Sequence, residues 1–330
     1  RNCPELTELY CAENGMKTLI VIDRSKLTYL DCRNKKLSEL VASGCTNLVV
    51  LYCAENELER LDVTGCPFLG ELNCFGNKLT YLEVKYCPQL GFLMCSENNL
   101  RELDLSGCTE LAVLLCWANE NLNELDVSAC THLESFSCMG NNMRELDVTA
   151  CKDLVSLWCG ENKIENLDVS KCTRLSTLDA QFNSFTTLDI SCCPNLINLR
   201  ENGVQYGPSE FMDNYMFSDG QNDLVYDRSV NLITGKLTDL SLSASSFTYT
   251  GSAIKPAVVV KSFEKVLNPA TDYTVSYSNN INAGTAAVTV TGKGIYKGTL
   301  KKNFTITKAK PVLAFSDSKI SRTYGNAPFT

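Results

Sequence analysis

Histidine is almost missing: one residue, His132, in a chain of 330. That removes most acid–base and zinc chemistry, because imidazole is the side chain that titrates near neutrality and a frequent zinc ligand. Positive charge is also short, with 30 Lys and Arg against 38 Asp and Glu, a formal net charge of −8. A nucleic acid or an anionic membrane therefore finds no cationic surplus to pair with its phosphates. No apolar run approaches the roughly 18–20 residues that cross a bilayer, so membrane insertion is not expected. Phosphate loops, nucleophile elbows and Cys–His pairs are missing too, and no carboxylate pair is singled out among the scattered acids. The chain is not expected to be an enzyme, to bind a cofactor or to hold a catalytic metal, and His132 reads as a solvated turn residue.

Cysteine is absent beyond Cys193, although 18 occur up to that point. So abrupt a change of composition marks a boundary near residue 200. With 44% hydrophobic residues, the chain has the composition of two or three folded domains. It opens without an initiator methionine or signal peptide, and both ends lie inside recognisable patterns. It reads as a fragment of a longer protein.

What the first part has in abundance is self-similarity. Cys45, Cys66, Cys87 and Cys108 recur every 21 residues; after one inserted residue near Asn121 the series resumes at Cys130, Cys151, Cys172 and Cys193. Backwards it passes through Arg24 to Cys3. A second series, Cys11, Cys32, Cys53, Cys74, Cys95, Cys116, Cys138 and Cys159, follows eight residues behind the first and closes at Ala180. Only Cys192 stands outside both. One unit reads C-x-x-L-x-x-L-x-C-x-x-N-x-L-x-x-L-D-V-S/T-x, as in CPFLGELNCFGNKLTYLEVKY. The second unit departs most, with Arg24, Lys35 and Ala42 at otherwise regular positions.

This unit resembles the leucine-rich-repeat family, and its length and cysteines are similar to those of the internalin-type surface proteins of Gram-positive bacteria. The resemblance implies a mainly β, right-handed solenoid of about ten coils over residues 1–203. The pattern supports it physically: alternate residues of L-x-L-x-C point inward as in a strand, and one coil cannot bury its apolar face until others stack on it. Twenty-one residues leave too little chain for a helix on the return side, so L-x-x-L-D-V should be extended or 3₁₀-like. The recurring Asn14, Asn56, Asn77, Asn98, Asn119, Asn141, Asn162 and Asn183 sit where each strand turns, placed to satisfy backbone groups left by the bend.

Three columns of side chains invite functional readings. The cysteines read as small hydrophobes filling a narrow core; disulfides and metal binding compete with that, although Cβ vectors running parallel up a column disfavour bridges. The acids Asp62, Glu83, Asp104, Asp126, Asp147, Asp168 and Asp189 read as partners of nearby backbone N–H groups or of the Ser/Thr two residues on, with calcium between coils as the sharper alternative. The third set faces outward from the strands, on the concave side where the resemblance places ligands. There Tyr52, Phe75, Phe92, Met94, Val113, Leu115, Trp117, Met139 and Trp158 gather, including both tryptophans of the chain. Soluble surfaces avoid large apolar patches without a reason, and aromatic and methionine enrichment marks interface cores. Asp31, Arg33, Asp179 and Gln181 would form a polar rim. The expected ligand is a protein or a glycan on a host or bacterial surface, the expected location extracellular, at the cell surface. A purely structural spacer is the competing function.

Beyond Arg200 the period dissolves, and residues 204–235 read as a terminal cap and connector. Residues 236–308 alternate with period two in short runs such as Tyr273–Val275–Tyr277 and Ala286–Val288–Val290, broken by Asn279-Asn280 and Gly292-Lys293-Gly294. That is the pattern of a small β-sandwich. The phrase DYTVSYSNNINAGTAAVTVTGKGIYKGTLKKNFTI also resembles bacterial immunoglobulin-like repeats, which implies a stalk module. Residues 309–330 look like the opening of a further, truncated module.

Overall fold

The structure, a computed structural model, describes residues 3–13, 15–33, 36–196, 224–227, 230–262 and 265–310. It divides into two compact units, residues 1–236 with 294–297, and residues 237–293 with 298–330. Asn14 and Lys35 of the repeat, residues 204–223 of the expected cap and residues 311–330 of the expected further module lie outside the described residues.

In the first unit each coil contributes a three-residue strand to one parallel sheet. The strands are Glu8–Tyr10, Tyr29–Asp31, Val50–Tyr52, Glu71–Asn73, Phe92–Met94, Val113–Leu115, Ser135–Ser137, Ser156–Trp158 and Thr177–Asp179. Register is strict: Leu51, Leu72, Leu93 and Leu114 lie side by side, each fully buried. A tenth strand, Leu224–Val225, continues the sheet beside Leu178 and Asp179. On the return side strands pair at the two ends, Thr18–Ile20 with Glu39–Val41 and Thr187–Asp189 with Asn231–Ile233, and an isolated parallel bridge joins Glu83 to Asp104 between them. Helix is confined, among the described residues, to 194–196. A mainly β solenoid is the result, and its core is one continuous column of Leu, Val and Cys.

The asparagines tie one coil to the next. Asn98 Nδ2 donates to the carbonyls of Cys74, Cys95 and Ser96 at 3.0, 3.1 and 3.1 Å, and its Oδ1 accepts the N–H of Leu79 at 2.9 Å. Asn56, Asn77 and Asn162 repeat this set. Water cannot reach these bends, so an amide offering donors and an acceptor from one place is what the backbone requires. The inserted residue near Asn121 is absorbed here: Asn141 Oδ1 accepts the N–H of Asn119 in place of a leucine N–H, while the strands keep register at Leu115 and Ser137.

All cysteines except Cys3, Cys11 and Cys192 are buried. Burial pushes the thiols of Cys32, Cys95 and Cys138 up to about 12, which keeps them protonated and poorly reactive. In the first series the thiol also serves as a weak donor: Cys45 and Cys108 Sγ lie 3.4 Å from the carbonyls of Val21 and Val84 in the preceding coil. Leucine would fill that space without reaching the carbonyl.

The acidic column turns to its own chain. Asp62 Oδ1 accepts the N–H and hydroxyl of Thr64 at 3.0 and 2.7 Å, and Asp147 does the same with Thr149 at 2.8 and 2.6 Å. The Ser/Thr hydroxyl and N–H hold Asp104, Asp126 and Asp147 below the usual carboxylate range. One coil differs: Glu83 pairs with Lys85 at 3.1 Å.

The second unit contains a four-stranded sheet in the order Ser246–Thr248, Thr299–Thr307, Gly284–Gly292, Tyr273–Ser278 and a three-stranded sheet of Asp239–Leu242, Val258–Ser262 and Lys265–Val266. Ala286, Phe304 and Ile306 form one buried cluster, against which Phe247 and Tyr277 of the same sheet and Leu242 of the other pack partly buried.

Candidate functional site

The outward face of the parallel sheet is built by three columns, the residues before and after each central leucine and the residue after each strand-ending cysteine. Between an inward leucine and an inward cysteine, the intervening side chain has nowhere to go but outward. The residue after that begins a turn. There the chain enters the left-handed region at Glu13, Glu55, Glu97, Ala118, Glu161 and Phe182, with φ between 50° and 56°, and at Gly76 and Gly140 with φ of 63° and 62°. All but Phe182 aim the N–H at a carbonyl of the next coil, as Glu97 does at the Trp117 carbonyl, 3.0 Å away. The turn lays a column of carboxylates, Glu13, Glu55, Glu97 and Glu161, along one edge of the sheet.

Three stretches of the face differ in chemistry. At the first coils, Tyr10, Tyr29 and Tyr52 meet in sequence, the first pair tilted and the second edge to face, with ring centroids 4.8 and 5.8 Å apart. Arg33 forks onto Asp31 through two bonds, Nε to Oδ1 at 2.9 Å and a terminal nitrogen to Oδ2 at 2.6 Å, and lies 5.4 Å from the Tyr52 ring centroid. The Arg33 guanidinium holds the Asp31 carboxyl low. The Tyr52 hydroxyl donates to Glu71 Oε2 at 2.6 Å, and that bond, with burial, raises the phenol to about 12. Tyr10 and Tyr29 were not among the expected site residues; tyrosines offset by one column in successive units were the available sign.

The middle stretch is apolar. Phe75, Phe92, Met94, Val113, Leu115 and Trp117 are each half-buried, and the Phe75 and Trp117 rings meet at 5.6 Å. Trp158 lies further on, also half-buried. Met139 departs from the outward position expected of it: it is buried, and its Cε lies 3.4 Å from where a Cβ on Gly160 would stand. The thioether folds over the gap that glycine leaves in the next coil. Two of the expected rim residues, Asp31 and Gln181, are buried as well, whereas Arg33 is exposed.

At the last coils the chemistry is acidic. Burial raises the Asp179 carboxyl to about 6, with Glu161 and Asp227 adding repulsion against hydrogen bonds from Gln181. Asp227 itself accepts the N–H groups of Phe182 and Asn183 at 3.1 and 3.4 Å, closing the last turn. Away from this face, Phe68, Tyr81 and Tyr86 are exposed aromatics of a single coil, with Lys85 5.2 Å from the Tyr86 ring centroid. His132 is exposed and lies 3.9 Å from Asp153.

The fold and its repeat define a mainly β solenoid of leucine-rich 21-residue coils with cysteine columns. No family model matches the chain, and no curated protein matches it. Among solved structures it is similar to the functional domain of InlJ from Listeria monocytogenes, which includes a cysteine ladder: 34% identity over 54% of this chain and 44% of that one, with a TM-score of 0.48. The internalin InlF of L. monocytogenes str. 4b F2365 is 20% identical over 55% of this chain and 71% of its own, TM-score 0.40. The plant peptide hormone receptor RGFR1, in complex with RGF2, is 18% identical over 69% and 38%, TM-score 0.41. The chain thus spans less than half the length of the InlJ domain.

Proposed function

We propose that the chain is the binding head of an extracellular, cell-surface protein and captures a protein ligand on the outward face of its parallel sheet. The observation that carries this reading is the run of half-buried Phe75, Phe92, Met94, Leu115 and Trp117 across three consecutive coils, with Trp158 two coils further on. An apolar patch of that kind costs solubility, and aromatic anchors are what protein interfaces spend it on. Glycan rings also stack on tryptophan, so a glycan is the alternative ligand class. The second unit is read as a bacterial immunoglobulin-like stalk module, and the role as binding, with no catalysis. A structural spacer without a specific ligand is the competing reading; it is favoured by the burial of Ser137, Met139, Thr177 and Gln181 at outward positions of the sheet.

The test is a glycan array and a pull-down with host and bacterial surface proteins, comparing the native chain with Trp117→Ala/Trp158→Ala. Loss of a captured ligand by more than tenfold, with melting temperature held, is expected. Capture unaffected by the double substitution, or no specific ligand in either assay, returns the molecule to the spacer reading.

A further inference from the structure

Phe75, Ser96 and Trp117 hold one repeat position in three successive coils, the first residue after the strand-ending cysteine. Neighbouring strands lie about 4.8 Å apart, so Phe75 and Trp117 leave the backbone about 9.6 Å from each other. Their ring centroids are nonetheless 5.6 Å apart, with the planes tilted by 47°. The rings lean together across the intervening coil, and Ser96 in that coil is fully buried. Its Oγ, alone among buried side-chain nitrogen and oxygen atoms of the described residues, has no hydrogen-bond partner. Elsewhere in the column small buried residues are Ala54 and Gly160, which bring no hydroxyl. Alanine in place of Ser96 would avoid the cost of burying an unpaired polar group.

We infer that Phe75 and Trp117 are the walls, and Ser96 the floor, of a slot that takes the phenol ring of a tyrosine flanked by basic residues on a protein partner. The inference rests on the reading of the sheet face as a binding surface. Two rings rooted about 9.6 Å apart have room for a third, flat ring at van der Waals distance from each, which requires about 7–8 Å. Parting them exchanges one aromatic contact for two. A phenol entering edge first carries its hydroxyl to the floor, where Ser96 Oγ gains the partner it lacks. Met94 and Leu115 beside the slot supply apolar contact and no hydrogen bond, which suits a ring with one polar tip better than a sugar with hydroxyls around its edge. Charge points to the flanking residues. Glu97 follows Ser96 on the exposed edge, and the only cation in these columns among the described residues, Arg33, is already engaged by Asp31.

The experiment uses the full chain with three capped tripeptides, Lys-Tyr-Lys, Lys-Phe-Lys and Glu-Tyr-Glu, and a methyl glucoside, followed by the indole N–H resonances of Trp117 and Trp158. Trp158→Phe assigns the two signals. Lys-Tyr-Lys should shift Trp117 saturably. Lys-Phe-Lys should bind about fivefold more weakly, the worth of one neutral hydrogen bond, and Glu-Tyr-Glu more weakly still, with the gap between the charged pair narrowing in high salt. Ser96→Ala should erase the tyrosine preference while leaving Lys-Phe-Lys affinity and melting temperature intact or higher. No saturable shift, equal response to tyrosine and phenylalanine, a preference that survives Ser96→Ala, or a stronger response to the glucoside each overturns the proposal. If the peptides leave Trp117 unmoved while the Trp117/Trp158 variant still loses its surface ligand, the slot falls and the binding face stands. If the peptides behave as expected while capture survives that variant, the slot stands and the wider reading falls.

Discussion

Between Leu27 and Ile190 strands are three residues long, and a residue's inward neighbours come mainly from the coils before and after it. In residues 237–310 strands such as Gly284–Gly292 and Thr299–Thr307 run nine residues and pair antiparallel with each other. The first region satisfies its bends with buried asparagines and fills its narrow interior with thiols. The second buries few polar side chains and has no cysteine at all. The difference teaches where stability is stored. In a stack of coils it lies in bonds between repeats, so a polar side chain can matter as much as an apolar one. In the second unit it lies in long antiparallel ladders and in apolar packing on one of their faces.

Three measurements press on that contrast, beginning with the largest effect. Thiol labelling of the native chain without reductant should modify Cys3 first, then Cys11 and Cys192, with the buried cysteines slower by orders of magnitude because they wait for the coils to open. After denaturation all 18 should react; a large unreactive fraction would mean bridges in place of packed thiols. Next, Asn98→Ala should cost roughly 3 kcal/mol: it strands the buried Leu79 N–H, at ~1–3 kcal/mol, and takes one donor from each of three carbonyls, which keep a single partner in Asn77, Asn119 or Gly76. Val288→Ala in the second unit should cost about 2 kcal/mol as a simple cavity. Denaturant unfolding followed separately in each unit compares them, and equal costs would break the contrast. The smallest effect is a pH dependence in the last coils. Asp179 titrates at about 6 when folded, against 3.8 for an unperturbed aspartate, so the folded state binds the extra proton. Its contribution is present below pH 4, is lost as pH rises from 4 through 6, and stays lost above. Asp179→Asn should remove that slope and raise stability at pH 7, read as the melting temperature from pH 4 to 8.

Much of the first unit was legible because each environment recurs every 21 residues. The asparagines at the bends and the Asp–Ser/Thr pairs follow from spacing alone, since both partners lie in one short segment or one repeat away. The binding face was legible only as columns. Trp117 and Met139 share a column, and nothing in either residue says that one stays half-exposed while the other is buried. The neighbour in the next coil decides it: Met139 lies down over Gly160, and Trp117 leans with Phe75 over Ser96. The strand Leu224–Val225 was illegible for a different reason, because it joins the sheet beside Thr177–Asp179 after a long segment without the period.

By itself the sequence determined the repeat length, the inward and outward alternation and the composition break near Cys193, because these depend on contacts that the period makes local. Only the tertiary structure decided which outward side chains meet, since that depends on the sizes of residues 21 and 42 positions away. Phe75 and Trp117 meet across the coil of Ser96 because one small residue stands between two large ones, and the serine hydroxyl is left fully buried without a partner.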